Sequence, residues 1–464
     1  MGLSWLLTEL SLVIGLLLGI LLITRILLQQ RTPAGTMSWL LIILLLPWVG
    51  VPLYLLFGGR KMRRTAERKV PLVLVHRPDV KLQEDAAVID RLLCTYGLPC
   101  AEAGNRVELC TTGEQTYHRL TEMIEKAANS IYISIYILQK DEIGRDIRDR
   151  LTRKAQSGVD VRVLMDGVGS LHTYRSFFKP LIRAGGHIAY FIPVLRRPFH
   201  GRTNLRNHRK IVITDQRQVL AGGTNIGREY MGPTPSSDRW QDLAFILQGP
   251  SVRHYLEVFR ADWVFTAGDD IPVPSIDPAV LSSGKTEDIT QVVPAGPDVP
   301  SDALYDALLS AVYGAQQQLW VVTPYFVPDE SLFQALSLAA RRGVDVRMLI
   351  PKRSNHLLAD IVRGNYLREL QRAGAKIYLY DKGMMHAKIV LVDTEVMILG
   401  SANIDIRSLF LNYEIAMFCY SHSTIKRVST WVETLMRDSR IGVKEVSFVR
   451  SLCEAVLRLF APLL

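Results

Sequence analysis

MHAKIVLVDTEVMILGSAN, Met385 to Asn403, brings His386, Lys388, Asp393, Gly400, Ser401 and Asn403 into one short segment. Two aliphatic runs, 389–392 and 396–399, are bounded by turn formers, which predicts two short strands. His386 and Lys388 stand two apart, so an extended chain turns both to one face. HRKIVITDQRQVLAGGTN, His208 to Asn225, repeats the pattern with His208, Lys210, Asp215, Gly222, Gly223 and Asn225. From each histidine the Lys lies at +2, the Asp at +7, the Gly at +14 and the Asn at +17. Read singly, either copy is a strand ending in a satisfied histidine. Two copies in one register argue against that reading.

The repetition extends well beyond the motifs. Gly158-Val-Asp-Val-Arg162 returns as Gly343-Val-Asp-Val-Arg347, and Arg183-Ala-Gly185 as Arg372-Ala-Gly374. The expected strand Ile131 to Tyr136 matches Leu319 to Tyr325. The chain therefore carries an internal duplication, roughly 107–265 and 291–440. Within the first copy, helices expected at 117–128 and 143–157 alternate with strands at 131–137 and 159–165, the pattern of a sheet covered by helices. The expected organisation is a membrane segment over 1–60, a basic juxtamembrane segment and linker over 61–106, and a first repeat over 107–267. A Pro-, Asp- and Ser-rich linker follows over 268–300, then a second repeat with a C-terminal helix over 301–464. At helical spacing, 446–464 is expected to pack on its own domain rather than lie on a membrane.

The 464 residues are 48% hydrophobic and 22% charged, which excludes a disordered chain and allows two or more cores. The net charge of +10 points to an anionic partner, either nucleic acid or an anionic membrane surface. Five cysteines without a C-x-x-C pair speak against a disulfide framework or a zinc site. Two apolar segments, about 3–24 and 37–57, are each long enough to span a bilayer. The first lacks a basic leader, so a hairpin of two spans is preferred to a signal peptide. Trp39, Trp48 and Tyr54 suit interfacial anchors. Arg60, Lys61, Arg63, Arg64, Arg68 and Lys69 follow the second segment, whereas the connecting loop offers Arg25 and Arg31. The positive-inside rule then puts the repeats in the cytoplasm, with the basic cluster against anionic headgroups.

A duplicated fold can pack as a pseudo-two-fold pair within one chain and bring both His-Lys-Asn sets to one interface. Two histidines suit displacement at a phosphodiester. One attacks phosphorus and becomes a phospho-histidine. The other protonates the leaving oxygen and then takes a proton from the incoming alcohol. Two lysines and two amides can hold the nonbridging oxygens, and no metal or cofactor is called for. Asp242 and Glu414 follow the two motifs at comparable distances and are the candidates to orient the rings from across the interface. Asp215 and Asp393 complete the motif set. They sit near predicted turns and are expected to act as turn or salt-bridge residues more than as direct catalysts.

These motifs, H-x-K-x4-D followed by G-G/S-x-N and present twice, resemble the phospholipase D superfamily over roughly 107–464. The bacterial cardiolipin synthase branch is the nearer match. That match rests on the second apolar segment ending Tyr-Leu-Leu-Phe-Gly-Gly, on Asn207-His-Arg-Lys210, and on Gly222-Gly-Thr-Asn-Ile-Gly227 with Glu229-Tyr230. It rests also on Ser401-Ala-Asn-Ile-Asp-Ile-Arg-Ser408 with Asn412-Tyr-Glu414 and on Ala461-Pro-Leu-Leu464. The family usually has Trp-Arg-Asp before the first-half acid, where this chain has Arg239-Trp240-Gln241-Asp242. The resemblance implies an α/β fold of two tandem repeats, each a mixed sheet flanked by helices, preceded by a two-helix transmembrane hairpin. It implies transfer of a phosphatidyl group from one phosphatidylglycerol to another, giving cardiolipin and glycerol. His208 would be nucleophile and His386 acid/base, in an order the sequence does not fix. Lys210, Lys388, Asn225, Asn403, Gly223 and Ser401 would line the phosphate. The expected location is a bacterial inner membrane, among anionic lipids. A homo-oligomer is compatible with the sequence. Three rivals differ in acceptor or class. A hydrolase would release phosphatidic acid from the same residues. A nucleic-acid enzyme is disfavoured by the two spans and by the lack of an aromatic-basic stacking pattern. A non-catalytic membrane protein is disfavoured by intact His, Lys and Asn in both copies.

Overall fold

The computed structural model describes residues 20–24, 26–27, 33–57, 69, 72, 80–193, 205–271, 288–299 and 301–458. The chain divides into two units, 1–62 with 194–204, and 63–193 with 205–464.

In the first unit the expected second span is not one straight helix. It is two, Pro33–Leu45 and Pro47–Phe57. Pro47 has no N–H and pushes Leu46 out of helical geometry, so the helix breaks between them. The two pieces fold together sharply: a Cβ on Gly50 would come within 2.7 Å of the Ile42 carbonyl oxygen. Trp39 and Tyr54 meet edge to face at 5.3 Å, and Tyr54 is buried with Leu22, Ile26 and Ile43. Leu44, Leu45, Leu46, Trp48 and Val49 stay exposed. No described helix is long and apolar enough to cross a membrane. Most of the expected first span lies outside the described residues.

The second unit is built on one 15-stranded mixed sheet. The first repeat contributes β1 (Glu102–Cys110), β2 (Ser130–Ile135), β3 (Asp160–Asp166), β4 (His187–Phe191), β5 (Ile211–Thr214), β6 (Gln218–Gly222) and β7 (Ala244–Gln248). The second begins with β8 (Asp288–Ala295), β9 (Gln318–Val322), β10 (Phe326–Val327), β11 (Asp345–Pro351) and β12 (Lys376–Tyr380). It continues with β13 (Ile389–Val392), β14 (Val396–Gly400), β15 (Ile404–Asp405), β16 (Glu414–Cys419) and β17 (Ser439–Ile441). Of these, β10 and β15 stand outside the large sheet and pair parallel with each other. Outward from the centre the first repeat runs β1-β7-β6-β5-β2-β3-β4, and the second β8-β16-β14-β13-β9-β11-β12-β17. Strand for strand the orders match until β17, and β1 pairs antiparallel with β8. That seam is where a pseudo-two-fold axis must pass. In each repeat β2, β3 and β4, or β9, β11 and β12, are parallel, and the motif hairpins β5-β6 and β13-β14 add antiparallel strands.

Helices cover both faces. Val252–Ala267 and His422–Arg437 close the face shared by the two repeats, over a core that includes Phe245, Phe259, Met397 and Val432. Gly113–Lys126 and Glu142–Gln156 cover the other face of the first repeat. Ala303–Gly314, Glu330–Arg341 and Leu357–Arg372 do so in the second. The motif strands are buried on both faces, which is why they read as unbroken aliphatic runs.

Three expectations are revised. The stretch 268–300 is not connection alone, because β8 lies inside it and forms the second repeat's half of the seam. Within 61–106, residues 84–95 form a helix and β1 starts at Glu102. Cys94 and Cys100 form a disulfide, against the expectation from cysteine count. The turn after the helix brings their Cα atoms to 5.3 Å, inside bridging range. The C-terminal helix, Phe448–Arg458, docks Glu454 on Arg368 of Leu357–Arg372, so it packs on its own domain. Phe448, Val449, Leu452 and Val456 remain exposed.

Candidate active site

Each histidine sits on a short extended segment just ahead of its motif strand, and each segment is held by the other repeat. Tyr413 N donates to Arg206 O at 2.9 Å and His208 N donates to Tyr413 O at 2.8 Å, a bridge centred on Asn207 and Tyr413. The counterpart is centred on Gln241 and Met385. There Gln241 N donates to Met384 O at 2.8 Å and His386 N donates to Gln241 O at 2.7 Å. Glu414 follows Tyr413, and Asp242 follows Gln241. Each bridge therefore delivers a carboxylate from one repeat to the histidine of the other. His208 Nδ1 lies 2.9 and 3.0 Å from the Glu414 oxygens, and His386 Nδ1 lies 2.6 Å from Asp242 Oδ2. With the carboxylates ionised, Nδ1–H donates, and Nε2 is left as the basic nitrogen.

The lysines point back at the same segments. Lys210 Nζ donates to His208 O at 2.7 Å; Lys388 Nζ likewise donates to His386 O and lies 2.9 and 3.1 Å from Nδ1 and Nε2 of that ring. All four side chains are buried. Burial pulls Lys210 down to about 7 and Lys388 to about 8. Burial, with Lys388 beside it, takes His386 down to about 3 against the pull of Asp242. His208 is lowered by burial and by Lys210, against Glu414. Burial opposes ionisation of Glu414 and Asp242. The cations around them outweigh it, chiefly His208 for Glu414 and Lys388 for Asp242, and both carboxyls stay below their usual range. Lys210 and Lys388 also repel each other across the repeats, so the two motifs share one electrostatic site. A buried cluster in which ligand-free lysines lose basicity is organised to receive an anion.

The other expected residues divide. Asn225 Oδ1 accepts from Ile137 N at 3.2 Å, while Asn403 Oδ1, although buried, has no partner among the described residues. Gly223 lies so close to Asp242 that a Cβ there would fall 2.3 Å from Oδ1. Ser401, its counterpart, donates to Glu414 Oε2 at 2.5 Å. Asp215 and Asp393 are not brought to the rings. Both occupy φ of 49° in the turn after the motif strand. Asp215 accepts the amides of Ala128, Asn129 and Ser130, and Asp393 those of Gln316, Gln317 and Gln318. They tie the motif hairpin to β2 and β9 at the far end from the histidines. Arg239 turns away to Glu114 and to Thr234 O, while Trp240 packs on the His386 ring at 5.2 Å. Tyr230 at 5.4 Å from His386 and Tyr136 at 4.8 Å from His208 complete the ring environment. None of these three aromatics is distinguished by the motif spacing. Among the described residues, a metal-ligand cluster is approached by Asp90, Cys94 and Cys100, whose sulfurs are joined to each other.

The family described as cardiolipin synthase, phospholipase D-like domain, matches residues 120–263 and 308–436. The chain belongs to the phospholipase D superfamily, in its cardiolipin synthase branch. A second family, the phospholipase D-nuclease N-terminal segment, matches residues 17–59. Within the cardiolipin synthase branch, cardiolipin synthase 1 of Bacillus anthracis is 34% identical, covering 95% of this chain and 91% of its own. The major cardiolipin synthase of Bacillus subtilis is also 34% identical, over the whole of both chains. The phosphatidylserine synthase structure from Haemophilus influenzae shares the superfamily fold, with a TM-score of 0.61 at 16% identity, covering 82% of this chain and 98% of that one.

Proposed function

We propose that this protein is a phosphatidyltransferase that makes cardiolipin from two molecules of phosphatidylglycerol. One histidine attacks the donor phosphorus through Nε2. The P–N bond forms, the P–O bond to the glycerol headgroup breaks, and the other histidine gives that oxygen its proton. A hydroxyl of the second phosphatidylglycerol then attacks phosphorus, the P–N bond breaks, and its proton passes to the same acid/base histidine. Lys210, Lys388, Asn225 and Asn403 hold the nonbridging oxygens, and Glu414 and Asp242 keep Nε2 of each ring toward phosphorus. The observation that carries this reading is the crossed pairing of each histidine with the other repeat's carboxylate beside a buried lysine. The names of the relatives agree with it.

We further infer that residues 1–60 embed the protein in the bacterial inner membrane as two spans, with the repeats on the cytoplasmic side. The exposed Leu44, Leu45, Leu46 and Trp48, the basic cluster from Arg60 to Arg68, and the matched N-terminal family support this. Lys69, expected in the same cluster, is instead buried against Asp262 and Asp298.

The test is mass spectrometry of lipids after purified full-length protein meets phosphatidylglycerol alone, in detergent with a chelator. Cardiolipin and glycerol are expected, and His208→Ala and His386→Ala should each abolish both. Phosphatidic acid as the main product would instead make the protein a hydrolase. An active His386→Ala protein would sink the two-histidine mechanism.

A further inference from the structure

The two sides of the site are built from equivalent backbone but unlike side chains. In the Asn207–Tyr413 bridge, Arg206 flanks the pairing two residues before His208. In the Gln241–Met385 bridge that place belongs to Met384. Alternate residues of an extended chain share a face, so Arg206 lies on the side of His208. Arg407 and Glu229 form a second unlike pair, 178 residues apart like the histidines themselves. The parallel bridges Leu138–Ile226 and Phe326–Ile404, just before them, place the two loops equivalently. Tyr136, two residues before Leu138, corresponds to Pro324, two before Phe326.

These differences gather beside His208. The Tyr136 ring meets His208 edge-on at 4.8 Å, and burial, with Asp166, pushes its hydroxyl up against the opposing charges of Arg407 and Arg206. Arg206 is 2% exposed. Its Nη1 reaches Asp166 Oδ1 at a long 3.4 Å and Ile192 O at 3.2 Å, but Nε and Nη2 have no partner among the described residues. Asp166 is already engaged, accepting from Asn207 N at 2.9 Å, Val168 N at 2.8 Å and Gly169 N at 2.9 Å. A buried guanidinium with two N–H groups on one edge left unpaired is costly unless a forked acceptor arrives. On the side of His386, Met384 offers no charge, and Glu229, bonded to Gln139 at 3.1 Å, is an acid.

We propose that Arg206 binds the phosphodiester of the second, acceptor phosphatidylglycerol beside His208. This rests on the cardiolipin-forming reaction proposed above. In that product two phosphates share one glycerol. The acceptor must therefore hold its own anion a three-carbon bridge away from the phosphorus being transferred. Water and free glycerol carry no such anion, so an Arg206 clamp favours lipid over both. A guanidinium matches two phosphate oxygens at once, which a lysine cannot do.

The test sets two acceptors against each other on one phospho-enzyme. Full-length protein receives phosphatidylglycerol together with deuterated glycerol. Cardiolipin reports the acceptor that carries a phosphate, and deuterated phosphatidylglycerol reports the one that does not. Arg206→Met, which copies the other repeat, should lower the ratio of cardiolipin to deuterated phosphatidylglycerol at least about tenfold, with Arg206→Lys in between. An unchanged ratio in Arg206→Met would overturn the proposal. If that variant does not fold, the same ratio is read in Arg206→Lys, where a severalfold fall supports the clamp and none overturns it. A wild-type protein yielding neither product would remove the transferase reading itself, a result distinct from failure of the clamp.

Discussion

His208 and His386 each depend on a carboxylate belonging to the other half of the chain, and each is flanked by a lysine whose basicity burial has reduced. Lys210 at about 7 and Lys388 at about 8 are below the ordinary lysine value, so the ligand-free fold binds fewer protons than the unfolded chain. The stability tied to them is complete only above the unfolded lysine pKa of about 10.4 and is lost as pH falls through 8 and 7. An anion between the two lysines reverses the shift. Binding of glycerophosphoglycerol, the headgroup without chains, should therefore take up protons at pH 8.5. Calorimetry in buffers of unlike ionisation enthalpy measures this, and enthalpies independent of buffer would refute it. The histidines, lysines and asparagines were legible in the sequence because the two copies agree there. Arg206 and Tyr136 were not, because their signal lies where the copies differ: Arg-Asn-His-Arg-Lys against Met-Met-His-Ala-Lys.

At the scale of elements, the same difference explains a buried ionic layer behind the first motif alone. Arg209 lies between Asp262, at 2.8 Å, and Asp298, at 3.3 Å, and its Nε donates to Glu414 O at 3.1 Å. Lys69 closes the layer by pairing with both carboxylates, and Asn207 Nδ2 donates to Asp262 at 3.0 Å. In the second repeat Met385 and Ala387 fill the equivalent positions with apolar contacts. Lys69 is thus joined, through Asp262 and Asp298, to the Arg209 that follows His208. Lys69→Met leaves two buried carboxylates to one guanidinium and should destabilise the protein by about 3 kcal/mol. A urea midpoint equal to wild type would contradict this. The sequence concealed the layer because its members are far apart in the chain. It concealed β8 for another reason: Pro294 reads as a strand breaker, yet it lies beyond the residues that pair with β1. The alternation of helix and strand from Gly113 to Asp166 was legible to within a few residues, because each helix and strand there keeps its own hydrophobic period.

For the whole molecule, the internal duplication predicted one fold used twice, and the matching strand orders about the β1–β8 seam are its physical form. The separation into two units has a measurable consequence if the first is the membrane anchor proposed above. A chain beginning at Arg63 keeps Lys69 and should turn over phosphatidylglycerol in detergent much as the full chain does, while sedimenting far less with phosphatidylglycerol vesicles. A chain beginning at Pro71 loses Lys69 and should be both inactive and less stable. Equal turnover by the two truncated chains would refute the role given to Lys69.

The crossed pairing also sets when the protein can act. His208 and Glu414 are 206 residues apart in the chain. At about 5–20 residues per second, a ribosome needs roughly 10–40 seconds to travel that interval. Throughout it the first histidine has neither its carboxylate nor the second motif. The nascent chain therefore stays chemically silent until the last repeat folds, and a prematurely terminated product lacks half of the site.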